Sequence, residues 1–152
     1  MIEYRQADES DIPAMAAIRA VEWGTEEYWR MRIRGYMRCE LHPQQALRSR
    51  IIYVALQNSL IVGFIAGHLT KRYECDGELE WINTIAQQRQ VGVASALLRL
   101  LAAWFIEQNA VRVCVDVDPD NPVARNFYMK HGAIELNKHW LVWIDIKQVL
   151  RG

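Results

Sequence analysis

Behind Asn121 as a helix cap, Phe127 and Tyr128 stand three and four residues beyond Ala124, so a helix would gather these three on one side, and the phenol of Tyr128 could hand a proton to a leaving group. Upstream, Arg89-Gln90-Val91-Gly92-Val93-Ala94-Ser95 opens an amphipathic stretch. A helix N-terminus there would carry unpaired N–H groups and about half a positive charge, which suits a phosphate. Gly92 leaves no Cβ between backbone and ligand, and Ala94 keeps the next inward position small. Gln87, Gln88, Arg89 and Gln90 add side-chain donors. Glu78 and Glu80 alternate along a strand-like run and share one of its faces, where either carboxylate could act as a base. Each group also has a plain structural reading: a strand-to-helix turn, core aromatics, and a solvated strand surface.

The elements that must position these residues follow from periodicity. Ile2–Gln6 can form a first strand. Asp8-Glu9-Ser10-Asp11-Ile12-Pro13 caps a helix carrying Ile12, Met15, Ile18, Ala20 and Val21. Gly24 and Thr25 break it, and a second helix is expected from Glu26 into the forties, ending near His42-Pro43 or resuming through Leu47. Ile51–Leu56 and Leu60–Gly67 flank the hairpin turn Gln57-Asn58-Ser59, and Glu78–Ile85 is a third strand. A helix over Gly92–Gln108 buries Val93, Leu97, Leu98, Leu101, Trp104 and Phe105. Val111–Val117 alternates as a strand, Pro122–His131 is helical, and Trp140–Ile144 closes the series, with a short strand near Ile134 as an addition. The order β-α-α-β-β-β-α-β-α-β implies a mixed α/β (α+β) sheet of six to seven strands flanked by about four helices. A strand–helix–strand crossover makes one pair parallel, and ligands of such sheets bind at the carboxyl ends of parallel strands.

Composition bounds the rest. The 152 residues suit one domain, 1–152, able to bury roughly 70% of its unfolded surface. Eighteen basic and eighteen acidic residues cancel, so no global field favours nucleic acid or an anionic membrane. No apolar run is long enough to span a bilayer, and Met1-Ile2-Glu3-Tyr4-Arg5 lacks the pattern of a signal peptide. Cys39, Cys75 and Cys114 form neither a disulfide framework nor a zinc site. A cytoplasmic location is expected. Asp116-x-Asp118-x-Asp120 fails as a calcium loop, because Asn121 and Phe127 occupy its sixth and twelfth positions. His42, His68, His131 and His139 have no ligand spacing, so no metal is expected, although His68 could border an acceptor cleft.

Taken together, the two motifs resemble the acetyl-CoA site of the GNAT superfamily of N-acetyltransferases. Its (Gln/Arg)-x-x-Gly-x-(Gly/Ala) loop is matched by Arg89, Gly92 and Ala94. Its Asn-x-x-Ala-x-x-Phe-Tyr-x-x-x-Gly-(Phe/Ala) helix is matched by Asn121, Ala124, Phe127, Tyr128, Gly132 and Ala133. Ala86 and Thr84 replace a proline and a valine common in that family. The resemblance implies a GNAT fold over essentially the whole chain and acetyl transfer from acetyl-CoA to an amine in a ternary complex. It implies that backbone amides of the Arg89–Ser95 segment (Arg89, Gln90, Val91, Gly92, Val93, Ala94, Ser95) hold the pyrophosphate. Ile82, Asn83 and Thr84 would pair with the pantetheine arm, and Asn121 would bond near it. Tyr128 is the implied general acid. Glu78 matches in spacing the base of the histone-acetylating branch, whereas Glu80, nearer the cofactor, is the favoured alternative.

The acceptor amine is left open among small amines, polyamines, amino-acid derivatives, aminoglycosides and protein N-termini. Arg30, Arg34 and Arg38 share a helix face that could attract an anionic acceptor or simply be solvated. Trp23, Tyr28, Trp29 and Tyr36 could line a pocket or pack the helices. Two rival functions are a non-catalytic CoA-binding sensor and an interaction module forming a homodimer through its Trp-rich C-terminal strand.

Overall fold

A computed structural model describes residues 1–89 and 91–151. Among them are seven strands, β1 (Ile2–Gln6), β2 (Ala46–Gln57), β3 (Leu60–Thr70), β4 (Gly77–Thr84), β5 (Val113–Asp116), β6 (Ile134–Asn137) and β7 (Trp140–Trp143), and five helices, α1 (Ile12–Ala20), α2 (Glu26–Met37), α3 (Val93–Glu107), α4 (Pro122–Lys130) and α5 (Gln148–Arg151). The strands form one mixed sheet in the order β1-β2-β3-β4-β5-β7-β6. Every neighbouring pair is antiparallel except β4 and β5, which run parallel and are connected through α3.

Two apolar clusters cover the two faces. On one, Leu97, Leu98, Leu101 and Phe105 of α3 pack against Ile65, Leu79, Val113 and Val115. On the other, Ile12, Met15 and Ala16 of α1 with Trp29, Ile33 and Tyr36 of α2 cover Phe64, Ala66 and Trp81. Gly77 and Gly67 let α3 lie close: a Cβ on Gly77 would come within 2.4 Å of Phe105, and one on Gly67 within 2.8 Å of Leu101.

Several element boundaries differ from the sequence expectation, among them the end of β3, which runs to Thr70 rather than Gly67. Helix α2 ends at Met37 rather than in the forties, because the chain turns back on itself. The N–H groups of Glu40 and Leu41 both bond the Gly35 carbonyl, and Cys39 adopts φ 57°. The Arg50 guanidinium then ties the returning chain to the carbonyls of Tyr36, Leu41 and Leu47, and residues 46–50 extend β2 instead. Strand β5 is shorter than 111–117, because the N–H groups of Val111 and Arg112 bond the Asp76 carboxylate before the ladder starts. The short strand near Ile134 is present, and the four-residue α5 was not foreseen.

Candidate active site

The site begins where the sheet stops pairing. Strands β4 and β5 are matched only from Gly77 to Leu79 against Val113 to Val115, while β4 continues to Thr84. The Ile85 N–H bonds the Val62 carbonyl, and antiparallel residues alternate between bonded and non-bonded pairs. Asn83 is therefore bonded to Phe64 of β3, and the backbone groups of Ile82 and Thr84 point the other way, into the gap beside β5. Of the three residues expected to meet the pantetheine arm, Ile82 and Thr84 present edge groups that no strand pairs among the described residues. The backbone of Asn83 belongs to the sheet.

A bulge sits at the start of that open edge. Ala66 lies opposite Trp81, and the next residue, Gly67, lies opposite Leu79, so Glu80 is an extra residue in β4. The bulge puts Glu80 and Trp81 on one face, the face of α1 and α2. There the donor atoms of His68, Glu78 and Glu80 lie within 4.8 Å of one another. Glu78 is buried and accepts from Arg72 Nε at 3.1 Å. The His68 ring is fully buried, with Nδ1 2.9 Å from the Tyr36 hydroxyl and Nε2 3.6 Å from Glu78. With Glu78 committed to Arg72, the group is not a vacant ligand set. Glu80 has no hydrogen-bond partner among the described residues. Burial first, then the Glu78 charge, pushes its carboxyl up to about 7, with Arg32, Arg19 and Arg72 pulling the other way.

Gly92 is the N-cap of α3 at φ +89°, a left-handed conformation that favours glycine, and among the described residues no side-chain cap bond closes the helix end. A Cβ on Gly92 would meet nothing within 4 Å, so open space lies against the backbone. The first turn, Val93 to Ser95, carries no acidic residue, and its N–H groups face out of the helix end. The Arg89 N–H, in contrast, bonds the Ala86 carbonyl, and the Gln88 side chain is buried against Gln57 rather than lining the loop. Val91 is exposed, the Ser95 hydroxyl lies 3.1 Å from His131 Nε2, and Gln90 lies outside the described residues.

Helix α4 starts at Pro122 behind Asn121, whose Oδ1 accepts from the Ala124 N–H at 3.1 Å. The Asn121 carbonyl is thereby committed to the cap, and its NH₂ remains as a donor. Tyr128 is 6% exposed, set edge-on to Trp143 at 5.9 Å and to Phe127 at 5.6 Å. Its hydroxyl has no hydrogen-bond partner among the described residues. Burial raises its pKa, opposed by the Arg19 charge. A phenol so placed keeps its proton at neutral pH.

Two arginines missed by the sequence reading complete the cleft. Arg19 stacks over Trp29 at 4.3 Å, donates to Asn83 Oδ1 at 3.0 Å and lies 3.9 Å from Glu22. Arg32 stands beside Tyr36 and Trp81. Both flank buried stripes: Arg19 is three and four residues beyond Ala16 and Met15, and Arg32 falls between Trp29 and Tyr36. The foreseen Arg30, Arg34 and Arg38 stripe is the solvated face instead, with Arg30 3.9 Å from Glu26 and Arg38 bonded twice to Glu9. Trp29 and Tyr36 are core, packed against Trp81, whereas Trp23 and Tyr28 stay exposed at the rim. A cavity of about 380 Å³ lies elsewhere, between the C-terminal end of α3 and residues 69–76, away from these groups.

No curated protein matches the sequence. Among solved structures, the aminoglycoside 6'-N-acetyltransferase AAC(6')-IG of Acinetobacter haemolyticus is 16% identical with a TM-score of 0.75, covering 89% of this chain and 92% of its own. The PaiA N-acetyltransferase of Thermoplasma acidophilum, in complex with coenzyme A, is 16% identical with a TM-score of 0.68, covering 93% and 97%. An N-acetyltransferase of Staphylococcus aureus Mu50 is 16% identical with a TM-score of 0.73, covering 97% and 99%. At such identities the likeness is one of fold. The family model described as the acetyltransferase (GNAT) family matches residues 15–133, and on that match the chain belongs to the GNAT acetyltransferases.

Proposed function

We propose that the protein is an N-acetyltransferase that takes the acetyl group of acetyl-CoA and passes it directly to a primary amine in a ternary complex. One observation carries this reading: the chain combines an open β4 edge at Ile82 and Thr84, an α3 N-terminus opened by Gly92, and two proton-transfer groups without hydrogen-bond partners among the described residues, Glu80 and Tyr128. The space against Gly92, which a Cβ would enter freely, fits a phosphate drawn up to backbone N–H groups.

In this reading the N–H groups from Val91 to Ser95 hold the pyrophosphate, with no part assigned to the occupied Arg89 amide. Ile82 and Thr84 bind the pantetheine arm as an added strand, helped by the Asn121 NH₂. Acetyl-CoA supplies an acyl group activated as a thioester. An amine is mostly protonated at neutral pH, so Glu80 takes its proton, directly or through one water, and frees the nitrogen lone pair for attack. A carboxyl poised at about 7 suits that task, whereas Glu78, tied to Arg72, serves to raise it. As the bond to sulfur breaks, Tyr128 gives its proton to the departing thiolate; the nitrogen, now bonded to the acetyl carbon, loses its second proton to water, and solvent reprotonates Tyr128.

Thiol release from acetyl-CoA across an amine panel, with thermal stabilisation of the protein by acetyl-CoA, tests this. No stabilisation contradicts CoA binding altogether. Stabilisation with no thiol release and no acetylated amine favours a CoA-binding sensor. The aminoglycoside 6'-N-acetyltransferase with the same fold suggests that antibiotic class for the panel.

A further inference from the structure

The acceptor side of the cleft carries charge that the transfer chemistry does not use. Arg19 and Arg32 each bury an Nε–H with no hydrogen-bond partner among the described residues. A buried guanidinium donor without a partner is costly, and a ligand acceptor group would relieve that cost. Arg32 forms no ion pair among the described residues, and it walls a crevice of about 10 Å³ with Tyr36, Leu41, Pro43 and Trp81. Its charge reaches both Glu80 and Arg19.

The surrounding charges leave Arg32 as the surplus. Glu78 is matched by Arg72 at 3.1 Å. Glu22 lies 3.9 Å from Arg19 and accepts from Asn83 Nδ2 at 3.1 Å. Arg50, over the Tyr36 ring at 4.7 Å, is occupied by backbone carbonyls. Among the described residues the cleft therefore offers one carboxylate without an ion pair, Glu80, and one cation without one, Arg32, whose charge acts on it. That pattern complements a zwitterion. A polycation would have to bring further positive charge against Arg19 and Arg32.

We propose that the acceptor is an amino acid or a similar zwitterion, its carboxylate bound by Arg32 with Arg19 behind it and its amine delivered to Glu80. A planar guanidinium pairs with a carboxylate through two parallel hydrogen bonds, so Arg32 acts as a specificity determinant. This rests on the acetyltransferase reading, and Arg32 takes no part in the proton transfers.

The test compares free amino acids with their amides, and with spermidine, as acceptors for wild type, Arg32→Gln and Arg32→Lys. The wild type is expected to favour acids over amides at least about tenfold in kcat/KM, the increment of one charged hydrogen bond. Arg32→Gln should bring that ratio near one by raising the acid's KM, Arg32→Lys should keep part of it, and the KM for acetyl-CoA should be unchanged. Amides or spermidine used as well as acids by the wild type, or an unchanged ratio in Arg32→Gln, overturns the proposal. Calorimetric titration of the same acids into the CoA-saturated protein reads binding without turnover. Acids that bind and lose affinity in Arg32→Gln support the inference even if thiol release fails, a failure that would count against the transferase reading alone. Absence of acid binding there overturns the inference.

Discussion

Glu80 lies on the same face of the sheet as Trp81, its neighbour in the chain, because the β4 bulge makes it an extra residue between two paired positions. Regular alternation would send one of the two to the α3 side. Strand alternation sets the carboxylate beside Glu78 and His68 under α1 and α2, and the bulge adds Trp81 to that face, at the point where β4 parts from β5. The carboxyl thus sits where burial raises its pKa and where an open strand edge begins.

Glu80→Gln is expected to lower kcat/KM by about 10² to 10³ with little change in acetyl-CoA affinity, as loss of a general base does. The wild-type rate should rise with pH through about 7, the pKa of this carboxyl. The variant should lack that rise. Initial rates of thiol release over a pH series check both.

The same group makes a stability prediction of defined sign. Its folded pKa of about 7 lies above the ordinary 4.5, so the stability it contributes is full below about 4.5 and is lost as pH rises through about 7. The loss amounts to about 3 kcal/mol, from the rise between those values at 1.36 kcal/mol for each pH unit. Glu80→Gln removes the dependence, and urea unfolding should find the variant more stable than wild type at about pH 8, by up to that amount.

Tyr128→Phe should slow turnover by about 10²-fold, while acetyl-CoA affinity stays within a few-fold, because only a proton donor is removed. The ring remains packed on Trp143 and Phe127. A collapse of affinity would mark Tyr128 as a packing residue instead. Rapid-quench kinetics with calorimetric binding separates the two.

Gly92→Ala places a Cβ in empty space, so its structural cost is the left-handed backbone alone, about 1 kcal/mol. If phosphate fills that space, acetyl-CoA affinity should fall by about tenfold or more, beyond what the stability change explains. Calorimetry with acetyl-CoA alongside urea unfolding checks the ratio.

Much of this site was legible in the residues, for identifiable reasons. Gly92 and Asn121 act through local backbone geometry, so the turn and the cap could be read from spacing. The shared face of Glu78 and Glu80 followed from strand period, but the bulge depends on how β3 pairs, which no local pattern encodes. Which of Ile82, Asn83 and Thr84 faces the gap is likewise a matter of ladder phase. The arginines on α2 show the limit most clearly. Arg30, Arg34 and Arg38 have an evident period yet face solvent, whereas Arg32, set between Trp29 and Tyr36, is turned toward the sheet by packing. Its position on the flank of that buried stripe was the available signal.

The central claim is that the open β4 edge and its neighbouring groups carry out transfer to an amine, not binding alone. Mass spectrometry of acetyl-CoA incubated with the amine panel and catalytic protein, with thiol titrated in parallel, tests it most directly. One N-acetylated amine is expected for each free thiol, with both signals reduced together in Glu80→Gln. Saturable acetyl-CoA binding without acetylated amine or free thiol from any acceptor would contradict it.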